Sequence, residues 1–213
     1  MADDSALWVI ASGNPGKQRE IQQILSGASV DLEGLSRFGT VSFPEEGLDY
    51  RENAIQKARA VASQVGEIAV ADDSGIEVDA LDGRPGPLSA RYGGEGLNDR
   101  ERLEKLLSAI VAVPEAGRAA RFVCFAALAT PEGDTVVAYG ECKGVILEAP
   151  EGEGGFGYDP IFRPDGYTQS MAQLEPAVKN RISHRARAFL DLYARWVGAP
   201  HPGLGRSPAP AAG

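Results

Sequence analysis

Leu7-Trp8-Val9-Ile10-Ala11, closed by Ser12-Gly13-Asn14-Pro15-Gly16 and followed by Lys17-Gln18-Arg19-Glu20-Ile21, decides how the chain is read. Five apolar residues stopped by a glycine and proline turn form a buried strand. From Lys17 to Leu25, Ile21, Ile24 and Leu25 recur at helical spacing. The chain therefore opens strand, glycine loop, helix, which is the beginning of an α/β fold.

The following segments extend that pattern. Asp49-Tyr50-Arg51-Glu52 has the form of a capping box and starts a helix reaching about Val65, with Ala54, Ala58, Val61 and Ala62 on one face. Glu67 to Ala71 reads as a strand cut by Asp72-Asp73-Ser74-Gly75, and Ile76 to Leu81 as a further short strand. Asp82 to Leu97 holds five glycines and two prolines and reads as a loop. Asn98 caps a helix from Asp99 to about Val111. Arg121–Thr130 and Thr135–Leu147 are β-branched and aromatic, and they flank Pro131-Glu132-Gly133-Asp134 as a hairpin. Cys124 and Cys142 are symmetric about Gly133, so they are expected to face each other as reduced core thiols. Ala149–Asp159 is a second glycine loop, and Ser183 caps a helix to about Val197. Of residues 199–213, 11 of 15 are Pro, Ala or Gly, which reads as a disordered tail behind one domain, or one domain with two lobes, over 1–198.

Composition limits the function. In 213 residues, 43% are hydrophobic and 24% charged, the balance of an ordinary globular chain. The longest apolar run, Phe122–Ala129, is eight residues, whereas a membrane helix needs roughly 18. The acidic start Met1-Ala2-Asp3-Asp4 does not fit a signal peptide, so a cytoplasmic protein with no membrane partner is expected. A net charge of −9 argues against a nucleic-acid partner. Two cysteines make neither a disulfide framework nor a zinc site.

Four constellations can carry chemistry. Ser12-Gly13-Asn14-Pro15-Gly16-Lys17 lies between strand and helix, where backbone N–H groups and a helix N-terminus suit an anion. It is not a Walker A motif, because the spacing to Lys17 differs and no Ser or Thr follows it. Glu45, Glu46, Asp72 and Asp73 are hard oxygen donors that suit Mg²⁺. Adjacent strand residues point to opposite faces, so Asp72 and Asp73 would address one ion only if Gly75 kinks the strand. Gly152-Glu153-Gly154-Gly155-Phe156-Gly157 spells G-x-G-x-x-G, yet Tyr158-Asp159-Pro160 follows, so it does not open a dinucleotide-binding helix. It offers Phe156 as a stacking face beside Asp159. Lys179, Asn180, Arg181, Ser183, His184, Arg185 and Arg187 are a basic cluster at a helix start. Each has a plainer reading as turn, cap, core or solvated face. No Ser/His/Asp set, C-x-x-C or H-E-x-x-H is present, which leaves acid, metal and lysine chemistry on phosphates.

Taken together in order, these segments resemble the inosine triphosphate pyrophosphatase family. The matching pieces are Ser12–Lys17, Glu52-Asn53-Ala54 with Lys57-Ala58, Ala71–Gly75, Ser89-Ala90-Arg91-Tyr92, Gly155–Pro160 and Ser183-His184-Arg185. Glu45-Glu46-Gly47 stands where that family has Glu-Thr-Gly. The resemblance implies an α/β fold with a long central mixed β-sheet flanked by helices, two lobes with a cleft between them, and a homodimer. It implies Mg²⁺-dependent hydrolysis of ITP, dITP and XTP to monophosphate and pyrophosphate. Asp73 resembles the catalytic acid/base and metal ligand, with Glu45 as second ligand. Ser12, Gly13, Asn14, Pro15, Gly16, Lys17, Lys57, Ser74 and Arg91 resemble triphosphate contacts. Phe156, Gly157, Tyr158, Asp159, Lys179, His184 and Arg185 resemble the base-recognition set. A related pyrophosphatase for modified pyrimidine nucleotides and a non-catalytic nucleotide-binding module remain as alternatives.

Overall fold

A computed structural model describes residues 6–198. The Pro/Ala/Gly-rich stretch 199–213 lies outside the described residues. The order is β1 (Ala6–Ile10), α1 (Pro15–Ile24), β2 (Val30–Gly34), α2 (Tyr50–Val65), β3 (Ile68–Val78), α3 (Asp99–Ala109), β4 (Ala119–Ala129), β5 (Thr135–Ile146), β6 (Phe162–Pro164), α4 (Pro176–Ile182) and α5 (His184–Trp196). One six-stranded sheet runs β2-β1-β3-β4-β5-β6. β1 pairs parallel with β2 and β3, and the remaining pairs are antiparallel, so the sheet is mixed.

The helix starts follow from local chemistry. The Asn14 carboxamide caps α1, the Asp49 carboxylate accepts the Glu52 N–H at 3.0 Å, and Ser183 caps α5. Asn98 and Glu101 form a reciprocal capping box on α3.

The long strands carry the two lobes on one face. Alternate residues of β3 point that way, and they divide by position. Val70 joins Trp8 and Ile10 in a core with Ile21 of α1 and Phe189 and Leu192 of α5. Ile76 and Val78 join a second core with Leu103, Leu106 and Ile110 of α3 and Phe162 of β6. Asp72 and Ser74 fall between the two cores, at the floor of the cleft. On the opposite face, Ala69 and Ala71 pack against Ala54, Ala58 and Val61 of α2. Each fully buried Leu, Ile or Phe side chain contributes about 1.5–3 kcal/mol to holding these layers together.

Three sequence expectations are corrected. β3 is not cut at Asp72-Asp73-Ser74-Gly75; it pairs with β4 without interruption from Ala69↔Ala129 to Val78↔Ala120, and only Asp79–Leu81 leaves it, as a 3-10 turn. Gly75 does not kink the strand. It allows a close approach, because a Cβ there would lie 2.2 Å from the Gly86 carbonyl oxygen. The cysteines do not face each other: Cys124 opposes Gly140 and Cys142 opposes Phe122, and both thiols are free and buried. The hairpin begins at Ala129↔Thr135, so its centre is Glu132 rather than Gly133 and the cysteines are offset by two positions. The sequence reading also did not anticipate β2, β6 or α4.

Candidate active site

The parallel pairing of β1 with β3 ends at Ile10↔Val70, while β3 continues to Val78. The β3 edge beyond Val70 therefore has no β1 partner. A cavity of about 330 Å³ opens along this edge, lined by residues of α1, α3, α4, α5, β3 and the Phe156–Asp159 loop. An open edge lets a strand present residues from both faces to one space, without a kink.

Asp73 points to the α2 face. Its Oδ2 accepts from Asn53 Nδ2 at 2.8 Å, and Lys57 Nζ lies 3.4 Å from Oδ1. Burial raises the Asp73 carboxyl above the ordinary aspartate value, and Lys57 and Asn53 offset this only in part. Asn53 also holds the Gly47 backbone, bringing the preceding segment to the site. There Glu46 lines the cavity and accepts from Lys57 at 2.8 Å, with Arg91 at 3.9 Å. Glu45 is exposed. Lys57 thus lies between the carboxylates of Glu46 and Asp73.

Asp72 points to the other face and has a different environment. Lys17 Nζ lies 3.0 Å from its Oδ2, and Arg185 and the Ser74 hydroxyl also donate to it. Burial alone would raise this carboxyl, but the Lys17 and Arg185 charges reverse that and hold it ionised, far below the usual range. From Asp72 a chain of alternating charge crosses the site: Lys17, Asp72, Arg185, Glu20, Lys179, Asp159. Asp159 ends the chain by accepting the Phe156 backbone N–H at 2.9 Å. Three cations and three anions balance, which is how so many charges remain buried together. Lys179 and Arg185 also lie over the Phe156 ring, at 5.1 and 5.5 Å from its centroid.

His184 is stacked on Phe122, with centroids 4.7 Å apart. Burial holds its imidazole well below the ordinary histidine value, and Arg185 and Lys179 add to the effect. Its Nδ1 is buried without a partner and belongs to a side chain lining the cavity.

The cavity gathers Asn14, Lys17, Asp73, Ser74, Phe156, Gly157, Tyr158, Asp159, Lys179, His184 and Arg185 of the expected set. Lys57 and Arg91 reach it through Glu46. Ser12, Gly13, Pro15 and Gly16 shape the loop beneath it. That loop does not offer a full amide cradle, because the N–H groups of Gly16 and Lys17 are taken by the Asn14 side chain at 2.8 and 3.1 Å. Gly16 has another use: a Cβ there would lie 2.7 Å from Phe156 Cδ1, so its bareness seats the aromatic ring against the loop. Sequence reasoning missed Glu20, Asn53, Asp99 and Arg102 as site residues. Asn53 stood inside a matching segment, Glu52-Asn53-Ala54, without being given a role; for Glu20, Asp99 and Arg102 the sequence signal was position alone, in a helix start or one turn into a helix.

A model of the Ham1 family matches residues 8–195. A protein of Vibrio parahaemolyticus named dITP/XTP pyrophosphatase is 47% identical over 189 residues, covering 88% of this chain and 94% of its own length. One of the same name from Deinococcus deserti is 50% identical over 191 residues, 87% of each chain. Among solved structures, a HAM1 protein from Coxiella burnetii superposes with a TM-score of 0.81 at 37% identity, over 91% of this chain and all of that one. The Staphylococcus aureus Ham1 protein gives 0.78 at 39%, over 90% and 98%. The match runs from β1 through α5 and takes in both lobes and every side chain of the cavity, and on that ground the chain belongs to the Ham1 family.

Proposed function

We propose that this protein hydrolyses non-standard purine nucleoside triphosphates, ITP, dITP and XTP, to the monophosphate and pyrophosphate. The observation that carries the reading is a single cavity with two unlike ends. At one end Lys17 stands near Asp73, a carboxylate that burial makes more basic. At the other end, Lys179 and Arg185 lie over the Phe156 ring, and His184, whose Nδ1 has no partner, lines the same cavity. The first end suits phosphates and an attacking water, and the second a flat ring bearing carbonyl acceptors. Relatives carrying the name dITP/XTP pyrophosphatase support the same reading.

The chemistry follows from the residues. Asp73 accepts a proton from a water whose oxygen attacks the α-phosphorus. The bond from that phosphorus to the α,β-bridging oxygen breaks, and pyrophosphate leaves with the electron pair. Lys17 and Lys57 neutralise charge on the phosphates. Lys179, His184 and Arg185 orient the base, and Asp159 holds Lys179 and the loop that carries Phe156. Because a neutral His184 does not add to the cationic wall, it can meet the base as an uncharged hydrogen-bonding group.

The donor set fits Mg²⁺. Asp73 and a carboxylate of the Glu45-Glu46 pair would hold it, and both are hard oxygen ligands. Among the described residues no three His, Cys, Asp or Glu side chains cluster as a metal site. That suits an ion completed by water and substrate phosphates. Such an ion supplies charge neutralisation on the triphosphate. Separate Glu45→Gln and Glu46→Gln variants, titrated with Mg²⁺ by calorimetry in the presence of a non-hydrolysable nucleotide, identify which of the two carboxylates binds.

A homodimer working in the cytoplasm belongs to the same proposal, and light scattering tests the dimer. Among the described residues no helix is long and apolar enough to cross a membrane. The deciding experiment is pyrophosphate release from ITP, dITP, XTP, ATP and dUTP with and without Mg²⁺. Fast release from the first three sustains the reading. Release from pyrimidine nucleotides instead, or binding without release, overturns it.

A further inference from the structure

Four cationic side chains line the cavity: Lys17, Arg102, Lys179 and Arg185. Three of them are links in the buried chain of alternating charge, with their donors committed to Asp72, Glu20 or Asp159. Arg102 stands apart from that chain. Its ion pair is with Asp99, from a terminal nitrogen at 3.2 Å, and the Asp99 side chain is 57% exposed. Its Nε is buried and donates to nothing. A desolvated donor without an acceptor is costly, and a ligand acceptor placed nearby relieves that cost.

The position of Arg102 is fixed by the same helix turn. The other oxygen of Asp99 accepts the Gly157 backbone N–H at 2.8 Å, one residue from Phe156. The first turn of α3 is therefore tied to the aromatic end of the cavity and not to the phosphate end. Arg102 also approaches from the α3 lobe, whereas Lys179, His184 and Arg185 belong to α4 and α5 in the other lobe. A purine lying on Phe156 carries its C6 and C2 substituents on one edge, either side of N1 and diverging from it, so with the 6-oxo group toward Lys179 and His184 the C2 substituent points away from them, toward the α3 wall that Arg102 forms.

We propose that Arg102 selects the substituent at C2 of the purine, donating to the 2-oxo group of xanthine and refusing the 2-amino group of guanine. The inference rests on the reading of the cavity as a purine nucleotide site. An arginine has donors and no acceptor, so it pairs with a carbonyl and meets an amino group donor to donor. Hypoxanthine has only hydrogen at C2 and gains little either way. The 6-oxo group, which guanine shares with xanthine and hypoxanthine, does not separate these bases, so the separation has to be made at C2. Arg102 is the cation that faces that side.

The test uses the full-length protein and two readouts. Equilibrium affinities for xanthosine, inosine and guanosine monophosphates are measured by calorimetry for the parent, Arg102→Met and Arg102→Lys. kcat/KM for XTP, ITP and GTP is measured on the same three proteins. Losing one charge-assisted hydrogen bond should lower the xanthine-to-inosine ratio by roughly 10- to 100-fold in Arg102→Met. The guanine-to-inosine ratio should rise in the same variant, and Arg102→Lys should restore part of the xanthine preference. Thermal melting confirms that both variants are folded, and Arg102→Lys keeps the charge if Arg102→Met is unstable. If the parent binds these nucleotides and neither ratio moves by more than about twofold in either variant, the inference falls alone. A parallel loss for all three bases makes Arg102 a structural residue and also overturns the inference. If the parent binds none of the three monophosphates, the reading of the cavity falls and takes the inference with it.

Discussion

Asp72 and Asp73 are the same residue type at adjacent positions of one strand, yet the fold makes them opposites. Asp72 faces α1 and α5 and is surrounded by Lys17, Arg185 and Ser74, which hold it ionised. Asp73 faces α2, where Asn53 and one lysine only partly offset the effect of burial. A carboxylate held ionised by two neighbouring cations is a poor base and a good structural hub; one whose burial is only partly offset is the reverse. The period of two along a β-strand produces this difference, because it sends neighbours to different layers of the protein.

The largest effect that can break the comparison is on turnover. Asp73→Asn keeps shape and loses charge, and kcat with Mg²⁺ should fall by about 10²- to 10⁴-fold, the range for removing a general base. Its urea midpoint should match or exceed the parent's, because the variant removes a carboxylate that burial disfavours in its charged form. Near-normal turnover in Asp73→Asn, with turnover lost in Asp72→Asn, would exchange the two roles.

Asp72→Asn should act chiefly on stability. It leaves Lys17 and Arg185 facing a neutral amide inside the protein, and the unfolding free energy at pH 7 should drop by about 3 kcal/mol. Arg185 keeps Glu20 as a partner, which limits the loss. Urea denaturation followed by circular dichroism measures it. A loss no larger than that of Asp73→Asn would remove the distinction between hub and base.

Lys17→Ala sharpens the comparison from the partner's side. Lys17 is 18% exposed, and Asp72 keeps Arg185 without it, so stability should change little. The KM for ITP and for XTP should rise together by about tenfold, because a phosphate contact has no base identity. A change confined to one base would place Lys17 at the other end of the cavity.

The smallest effect concerns His184, at the base end of the charge chain. Its folded pKa lies below the unfolded value near 6.5, so the unfolded chain binds the extra proton first. The stability this residue contributes is fully present above pH 6.5 and is lost as the pH falls toward and through the depressed folded value. The slope reaches at most about 1.4 kcal/mol per pH unit for one proton. The difference in unfolding free energy between the parent and His184→Gln, measured from pH 7.5 to 5.5, isolates it, since the carboxylates are common to both. A difference that stays constant with pH would mean that His184 does not titrate as a buried neutral group.

The sequence by itself determined the features that depend on neighbours in the chain. Ser12–Lys17 between an apolar run and a helical period had to be a strand-to-helix turn. Asp49, Asn98 and Ser183 announced their helices because a cap acts within three residues. The alternating runs around Pro131–Asp134 had to be a hairpin. Six motifs in order brought most of the cavity's side chains into view before any geometry.

Tertiary structure decided what depends on register and on distance through space. The end of the β1 pairing at Val70 opened the β3 edge, so Asp73 and Ser74, from opposite faces of the strand, line one cavity without a kink, while Asp72 stays buried behind it. A hairpin offset of two residues parted Cys124 from Cys142. Glu20, one turn into α1, reads in sequence as a solvated helix residue, but folding buries it between Lys179 and Arg185, 159 and 165 positions away. Arg102 reads the same way until α3 docks beside Gly157. Caps and periodicities are set by local hydrogen bonds and backbone geometry, whereas strand register and buried charge pairing are set by contacts between segments far apart in the chain, and no local pattern specifies those.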